Sequence, residues 1–250
     1  MIRTHTTISL LLIAAAIANG ASLQAAPKYN VLFIISDDLT ATALSCYGNT
    51  ICRTPNIDAI AARGTLFTRA FCQGTYCGPS RASLLSGYYP HATGVLGYKS
   101  PRPRIGDRAT WPQHFKNNNY YTARVSKIYH MGVPGGVLLD DGGPGQDKYN
   151  GADDAASWTE RFNSPGPEWT APGNGETLEG NPDSQKPVVG GNTFVVVEAD
   201  GGDETHSDGM TAAKAVDLIR QHKDEPFWLG VGFVRPHVPF VAPKTYFPPF

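Results

Sequence analysis

The sequence has no excess charge of either sign. Its 250 residues carry 21 Lys and Arg against 22 Asp and Glu, a formal net charge of −1. Nucleic-acid binding needs a basic field, so that class is excluded, and an anionic ligand must be held by local groups. Beyond the N-terminal segment no apolar run is long enough to span a bilayer. No Cys-x-x-Cys pair stands near histidines at zinc-finger spacing, which argues against a structural zinc site. No internal repeat is present. Cysteine is sparse: Cys46, Cys52, Cys72 and Cys77 are the whole set. Glycine and proline, at 27 and 20 residues, are plentiful and point to long irregular connections.

The N-terminus reads as a signal peptide over residues 1–26. Arg3 and His5 give a basic start, Ile8 to Ala18 is apolar apart from Ser9, and small residues run to Ala26 before Pro27. The apolar stretch is too short for a stable membrane anchor, so no membrane span is expected after cleavage. Export follows, to a periplasmic, secreted or lysosomal destination according to the source. In an oxidising compartment four cysteines allow two disulfides in three pairings, and by counting alone Cys77 belongs to one of them.

Residues 27–250 read as an α/β layered domain. Asn30 to Ser36 is a short apolar run that suits a strand buried on both faces. Thr54 and Pro55 open a helix whose Ile57, Ile60 and Ala61 share one side and which Gly64 stops. Thr65 to Phe71 alternates like a second strand. A helix starts near Pro79 with Cys77 just before it. Trp111 to Phe115 reads as a short helix and Tyr120 to Val125 as a strand. From about 132 to 202 the chain is a Gly/Pro-rich insert, with brief β-like pieces such as Thr193 to Val197 and with Asp140-Asp141 and Asp153-Asp154 as turn residues. Met210 to Gln221 is an amphipathic helix through Ala213, Val216 and Ile219, and Phe227 to Val234 is a further apolar strand. The end at Phe247-Pro248-Pro249-Phe250, without a cap or polar tail, reads as a truncation.

Several residues could carry chemistry. Asp37 and Asp38 follow the first strand, and ligands of open α/β sheets bind outside the carboxyl ends of strands. Adjacent carboxylates repel unless a cation lies between them, and oxygen ligands suit Ca²⁺ or Mg²⁺. Taken alone, they more simply cap a turn. Cys77, before a helix start, lies where free N–H groups and the helix dipole favour a thiolate or a bound sulfate or phosphate. Arg81, within one turn, adds a cation of fork geometry. Singly, Lys127 reads as a solvated charge, and His130 and His237 as surface or core histidines. Ser80 shapes the turn, and His91 in Tyr89-Pro90-His91 is structural.

Together and in order, these segments resemble a known family. Cys77-Gly78-Pro79-Ser80-Arg81, continuing to Ser86-Gly87, resembles the sulfatase signature Cys-x-Pro-Ser-Arg. Asn30 to Asp38 resembles the opening strand whose paired aspartates bind the family's metal. Tyr120 to His130 resembles the second signature, with Asn119 and Ser126 where glycines are usual. Val234-Arg235-Pro236-His237-Val238-Pro239-Phe240 is similar to the Lys/Arg-Pro-His-x-Pro-Phe segment. The form of these segments is most like the iduronate-2-sulfatase branch.

The resemblance implies an alkaline-phosphatase-like fold, a mixed, mostly parallel sheet sandwiched by helices, of which this chain is the N-terminal portion. It implies that a formylglycine-generating enzyme oxidises Cys77 to formylglycine, whose hydrated form attacks sulfur. Asp37, Asp38 and the modified Cys77 would hold Ca²⁺, with Mg²⁺ the alternative. Arg81 and Lys127 would stabilise transition-state charge, His237 would protonate the leaving oxygen, and His130 would take the diol's proton. The substrate implied is a sulfated carbohydrate, a 2-O-sulfated uronic acid of a glycosaminoglycan by likeness to that branch. The family's other metal ligands and a further lysine lie in a C-terminal half with no counterpart here, so this chain alone would bind metal weakly. Two rivals remain: a phosphate or phosphonate ester hydrolase of the same superfamily, and a non-catalytic secreted protein with Cys77 in a disulfide.

Overall fold

The computed structural model describes residues 28–131, 150–166, 173–177 and 195–247. The signal-peptide segment and Asp140-Asp141 lie outside the described residues. The principal sheet contains β1 (Val31–Ser36), β2 (Tyr121–Ser126), β3 (Glu160–Phe162) and β6 (Phe227–Phe233), in the order β1-β6-β2-β3 and wholly parallel. A second sheet joins β4 (Gly173–Thr177), β5 (Val195–Ala199) and β7 (Phe240–Pro243), with β4 antiparallel and β7 parallel to β5.

The helices are α1 (Pro55–Arg63), α2 (Cys77–Ser86), the short α3 (Pro90–Thr93) and α4 (Arg102–Ile105), α5 (Trp111–Asn117) and α6 (Ser207–His222). They cover both faces of the principal sheet. On one face Ala215 and Leu218 of α6 pack on Ala123, Val125, Phe227, Leu229 and Val231. On the other, Leu85 of α2 joins Ile128, Tyr129, Trp158 and Trp228, with Phe33, Trp111 and Phe115 packed alongside. Helix α5 starts where the sequence places it because Thr110 and Gln113 form a reciprocal capping box at buried Thr110.

The central strands are buried at every position except Tyr121 and Phe233, as their apolar runs require. β1 differs from expectation. It is an edge strand whose Val31, Phe33 and Ile35 meet the core while Leu32 and Ile34 are 46% and 50% exposed. The reason is coverage: α6 lies over β6 and β2 and does not extend across β1. Thr65 to Phe71 is irregular, not a strand, and Phe67 and Phe71 stand in solvent. Helix α1 begins at Pro55 and stops at Gly64, but it buries no residue, so its apolar side finds no partner among the described residues. The Thr54 hydroxyl donates to Asp58 inside the first turn instead of capping the helix N–H groups.

Within the insert, the described residues 150–166 hold more structure than their composition predicts. Asp153 and Asp154 are not turn residues: both are buried, Asp153 accepting from the Arg124 Nε at 2.8 Å and from Trp158 Nε1, and Asp154 from Arg102. All four cysteines are free thiols, so the structure does not contain the disulfide that counting favoured for Cys77. None of the described helices is long and apolar enough to cross a membrane.

Candidate active site

The parallel register brings three strand ends to one edge. Ser36 of β1 faces Phe233 of β6, and Ser126 of β2 faces Gly232. Asp37, Lys127 and the 234–239 loop therefore leave the sheet side by side, where ligands of parallel α/β sheets bind. Gly232 matters here because a Cβ would sit 2.0 Å from the Lys127 carbonyl oxygen. Only glycine lets β6 approach that backbone so closely.

Asp37 is 4% exposed and anchors the cluster. Its Oδ1 accepts from Arg81 Nη2 at 2.7 Å, and its Oδ2 lies 2.5 Å from Lys127 Nζ. Burial alone would raise its pKa; the cations Arg81 and then Lys127 outweigh that and hold the carboxyl well below the usual carboxylate range. Arg81 is itself buried, and its Nη1 donates to the Lys127 and Ile128 carbonyls at 2.5 and 2.8 Å. One guanidinium thus ties helix α2 to the ends of β1 and β2.

Cys77 is the first residue of α2, with Tyr76 at the N-cap, so it stands one step further into the helix than expected. Its Sγ donates to Asp37 Oδ2 at 3.7 Å. The anticipated thiolate is not favoured. Burial first and the Asp37 carboxylate second push the thiol's pKa up, against the pull of Lys127 and Arg81. Asp38 is exposed and adopts a left-handed backbone, φ 60°, which turns the chain sharply out of β1.

His237 stands across from the two aspartates. Its Nε2 is 4.0 Å from Asp37 Oδ2 and 3.9 Å from Asp38 Oδ2. Its Nδ1 lies 2.6 Å from the Val238 carbonyl, which can only accept, so Nδ1 carries a proton and Nε2 faces two carboxylates. That arrangement is repulsive without a proton or cation between them. The donor atoms of Asp37, Cys77 and His237 lie within 4.8 Å of one another, a spacing that ligands about 2.4 Å from one ion can span. The set thus fits a cation, although sulfur is a soft partner for Ca²⁺ and a few ligands fall short of its usual six to eight.

His130 lies at the margin. Its ring stacks on Tyr98 with centroids 3.9 Å apart and planes 14° apart. Nδ1 is buried without a hydrogen-bond partner. Burial first, then Lys127, pushes its pKa down to about 3, so the ring is neutral. The structure therefore gathers Asp37, Cys77, Arg81, Lys127 and His237 around one point, with Asp38 against His237 and His130 behind Lys127. Ser80 forms part of α2, and His91 stacks on Tyr89 outside the cluster. Tyr98 escaped the sequence reading, since nothing in its local sequence marks an aromatic partner for a histidine 32 residues away.

Parallel strands covered on both faces, with the candidate site at their carboxyl ends, make this an α/β protein, and solved structures share its fold. More specifically, the chain belongs to the sulfatase family, whose model matches residues 29–250. It is 34% identical to human iduronate 2-sulfatase over 247 residues, covering 96% of this chain and 41% of that protein. The chain thus spans well under half the length of that relative. A solved structure from the metabolism of multiple glycosaminoglycans by Bacteroides thetaiotaomicron matches with a TM-score of 0.58 and 25% identity, covering 89% of this chain and 54% of that one. The phosphonate monoester hydrolase of Agrobacterium radiobacter shares the fold, with a TM-score of 0.56, 23% identity, and 87% and 43% coverage.

Proposed function

We propose that this protein hydrolyses sulfate esters of a sulfated sugar, with Cys77 as the precursor of the nucleophile. The observation that carries the reading is the convergence of Cys77, Asp37, Arg81, Lys127 and His237 at adjacent strand ends, in a chain of the sulfatase family. Conversion of Cys77 to formylglycine by a formylglycine-generating enzyme would supply a nucleophile that a half-buried thiol with a raised pKa is not. A hard divalent cation, Ca²⁺ or alternatively Mg²⁺, held by Asp37, Asp38 and the converted residue 77, would supply Lewis-acid charge at the sulfate oxygens.

The chain's own groups fill the remaining roles. Arg81 and Lys127 keep Asp37 ionised and maintain positive charge beside the start of α2, where a sulfate group also meets free helix N–H groups. His237 directs Nε2 into the site and is placed to protonate the departing alcohol oxygen. His130, with an unpartnered Nδ1, is the residue offered to take the diol's proton. The likeness to human iduronate 2-sulfatase supports a 2-O-sulfated uronic acid of a glycosaminoglycan as substrate. The basic, then apolar, N-terminal segment supports export.

Parallel assays of sulfate and phosphate release from aryl esters test the reaction. Release of sulfate that disappears in Cys77→Ala is expected. Phosphate or phosphonate hydrolysis without sulfate release would transfer the chain to the other activity this fold supports.

A further inference from the structure

The geometry points to Asp208 as the positioning residue that aims His237 into the site, an inference that rests on the hydrolase reading above. His237 sits on the loop between β6 and β7, a segment with no regular secondary structure of its own. Two braces from outside the loop and one from within it fix it. Asp208, in the first turn of α6, accepts from two consecutive backbone N–H groups, Val234 at 2.7 Å and Arg235 at 2.8 Å. Ser36 Oγ, at the end of β1, donates to the Arg235 carbonyl. The Arg235 guanidinium then folds back, its Nη1 donating to the carbonyls of His237 at 2.5 Å and Pro239 at 2.6 Å.

Asp208 is the strongest of these. Its carboxylate lies at the positive end of the 16-residue helix α6, so its charge is favoured there, and both of its bonds to the loop are charge-assisted. Because only Pro236 separates Val234 and Arg235 from His237, their position sets where the imidazole begins. The backbone bond from His237 N–H to the Val234 carbonyl, 3.0 Å, passes that constraint on. The outcome is Nε2 held about equally far from Asp37 and Asp38. Asp208 reaches the loop through the Val234 and Arg235 N–H groups, and its effect runs through His237.

The test compares Asp208→Ala and Asp208→Asn with the parent protein. In Asp208→Ala, amide exchange at Val234 and Arg235 should quicken by roughly tenfold or more, the loss of one charge-assisted bond. The NMR signals of the His237 ring should become averaged, while the amides of Trp228 and Leu229 keep their protection. On a sulfate ester, kcat should fall about 10- to 100-fold with KM within about threefold, as for a displaced catalytic group. Asp208→Asn retains one acceptor and should lie between. An unchanged His237 ring and kcat, or exchange that quickens equally along β6, would overturn the inference. If the parent protein cleaves no sulfate ester, the hydrolase reading fails, while the ring signals and amide exchange still decide the role of Asp208.

Discussion

Ser126→Gly should stabilise this protein. Ser126 has φ 61°, is fully buried, and its hydroxyl has no hydrogen-bond partner. A left-handed backbone costs an L-residue about 1–2 kcal/mol, and an unsatisfied buried hydroxyl roughly 1–3 kcal/mol. Against this, glycine adds about 0.5–1 kcal/mol of chain entropy, and losing the small side chain forfeits about 1 kcal/mol of packing. The balance favours glycine by about 2 kcal/mol at the middle of these ranges. Asn119 is the internal control. It shares the conformation, φ 62°, but is exposed, and asparagine tolerates the left-handed region. Asn119→Gly should therefore change stability by less than about 0.5 kcal/mol. Urea unfolding of both variants measures the difference as a shift in midpoint at constant slope. A Ser126→Gly protein less stable than the parent, or an Asn119→Gly gain as large, would refute the reasoning.

Two further predictions concern buried charge. Asp153→Ala should cost about 3–5 kcal/mol, because it strands the Arg124 guanidinium at 1% exposure, whereas Asp217→Ala at the exposed pair with Arg220 should cost under about 0.5 kcal/mol. Comparable midpoints for the two variants in urea would contradict this. His130 is neutral in the fold, with its pKa pushed from the ordinary 6.5 down to about 3, so the unfolded chain binds more protons across that interval. Its contribution to stability is therefore whole above pH 6.5 and is lost as pH falls toward about 3. Unfolding free energies measured between about pH 4 and pH 7 should fall less steeply toward acid in His130→Gln, and identical slopes would count against the assignment.

The same buried positions explain what the sequence could convey. Strands β2 and β6 and helix α5 were legible because each buries a continuous run or an apolar face. Helix α6 was legible as a helix, although it buries Thr211, Ala215 and Leu218 while Ala213 and Val216 stand exposed. The first strand was legible as a strand, but an apolar run cannot say whether neighbours cover both faces, and Leu32 and Ile34 turned out to be open. Thr65 to Phe71 has the alternation of a strand and no ladder to join. Asp153 was hidden by its Gly-rich surroundings, since Arg124, its partner, lies 29 residues earlier. In the candidate site, the residues follow strand ends and a helix start, features that short motifs encode. The supports do not. Tyr98 behind His130 and Asp208 beneath the His237 loop act through contacts across the fold. Asn119 and Ser126, where the resembled pattern carries glycine, did leave a trace: both adopt positive φ, the conformation glycine relieves.

The most direct test of the proposed function is the mass of the peptide containing Cys77, taken from protein produced together with a formylglycine-generating enzyme. Residue 77 should carry the formylglycine mass, while Cys46, Cys52 and Cys72 remain thiols as in the structure. An unmodified cysteine at 77, or one linked by a disulfide to another cysteine, would contradict the assignment of Cys77 as the nucleophile's precursor.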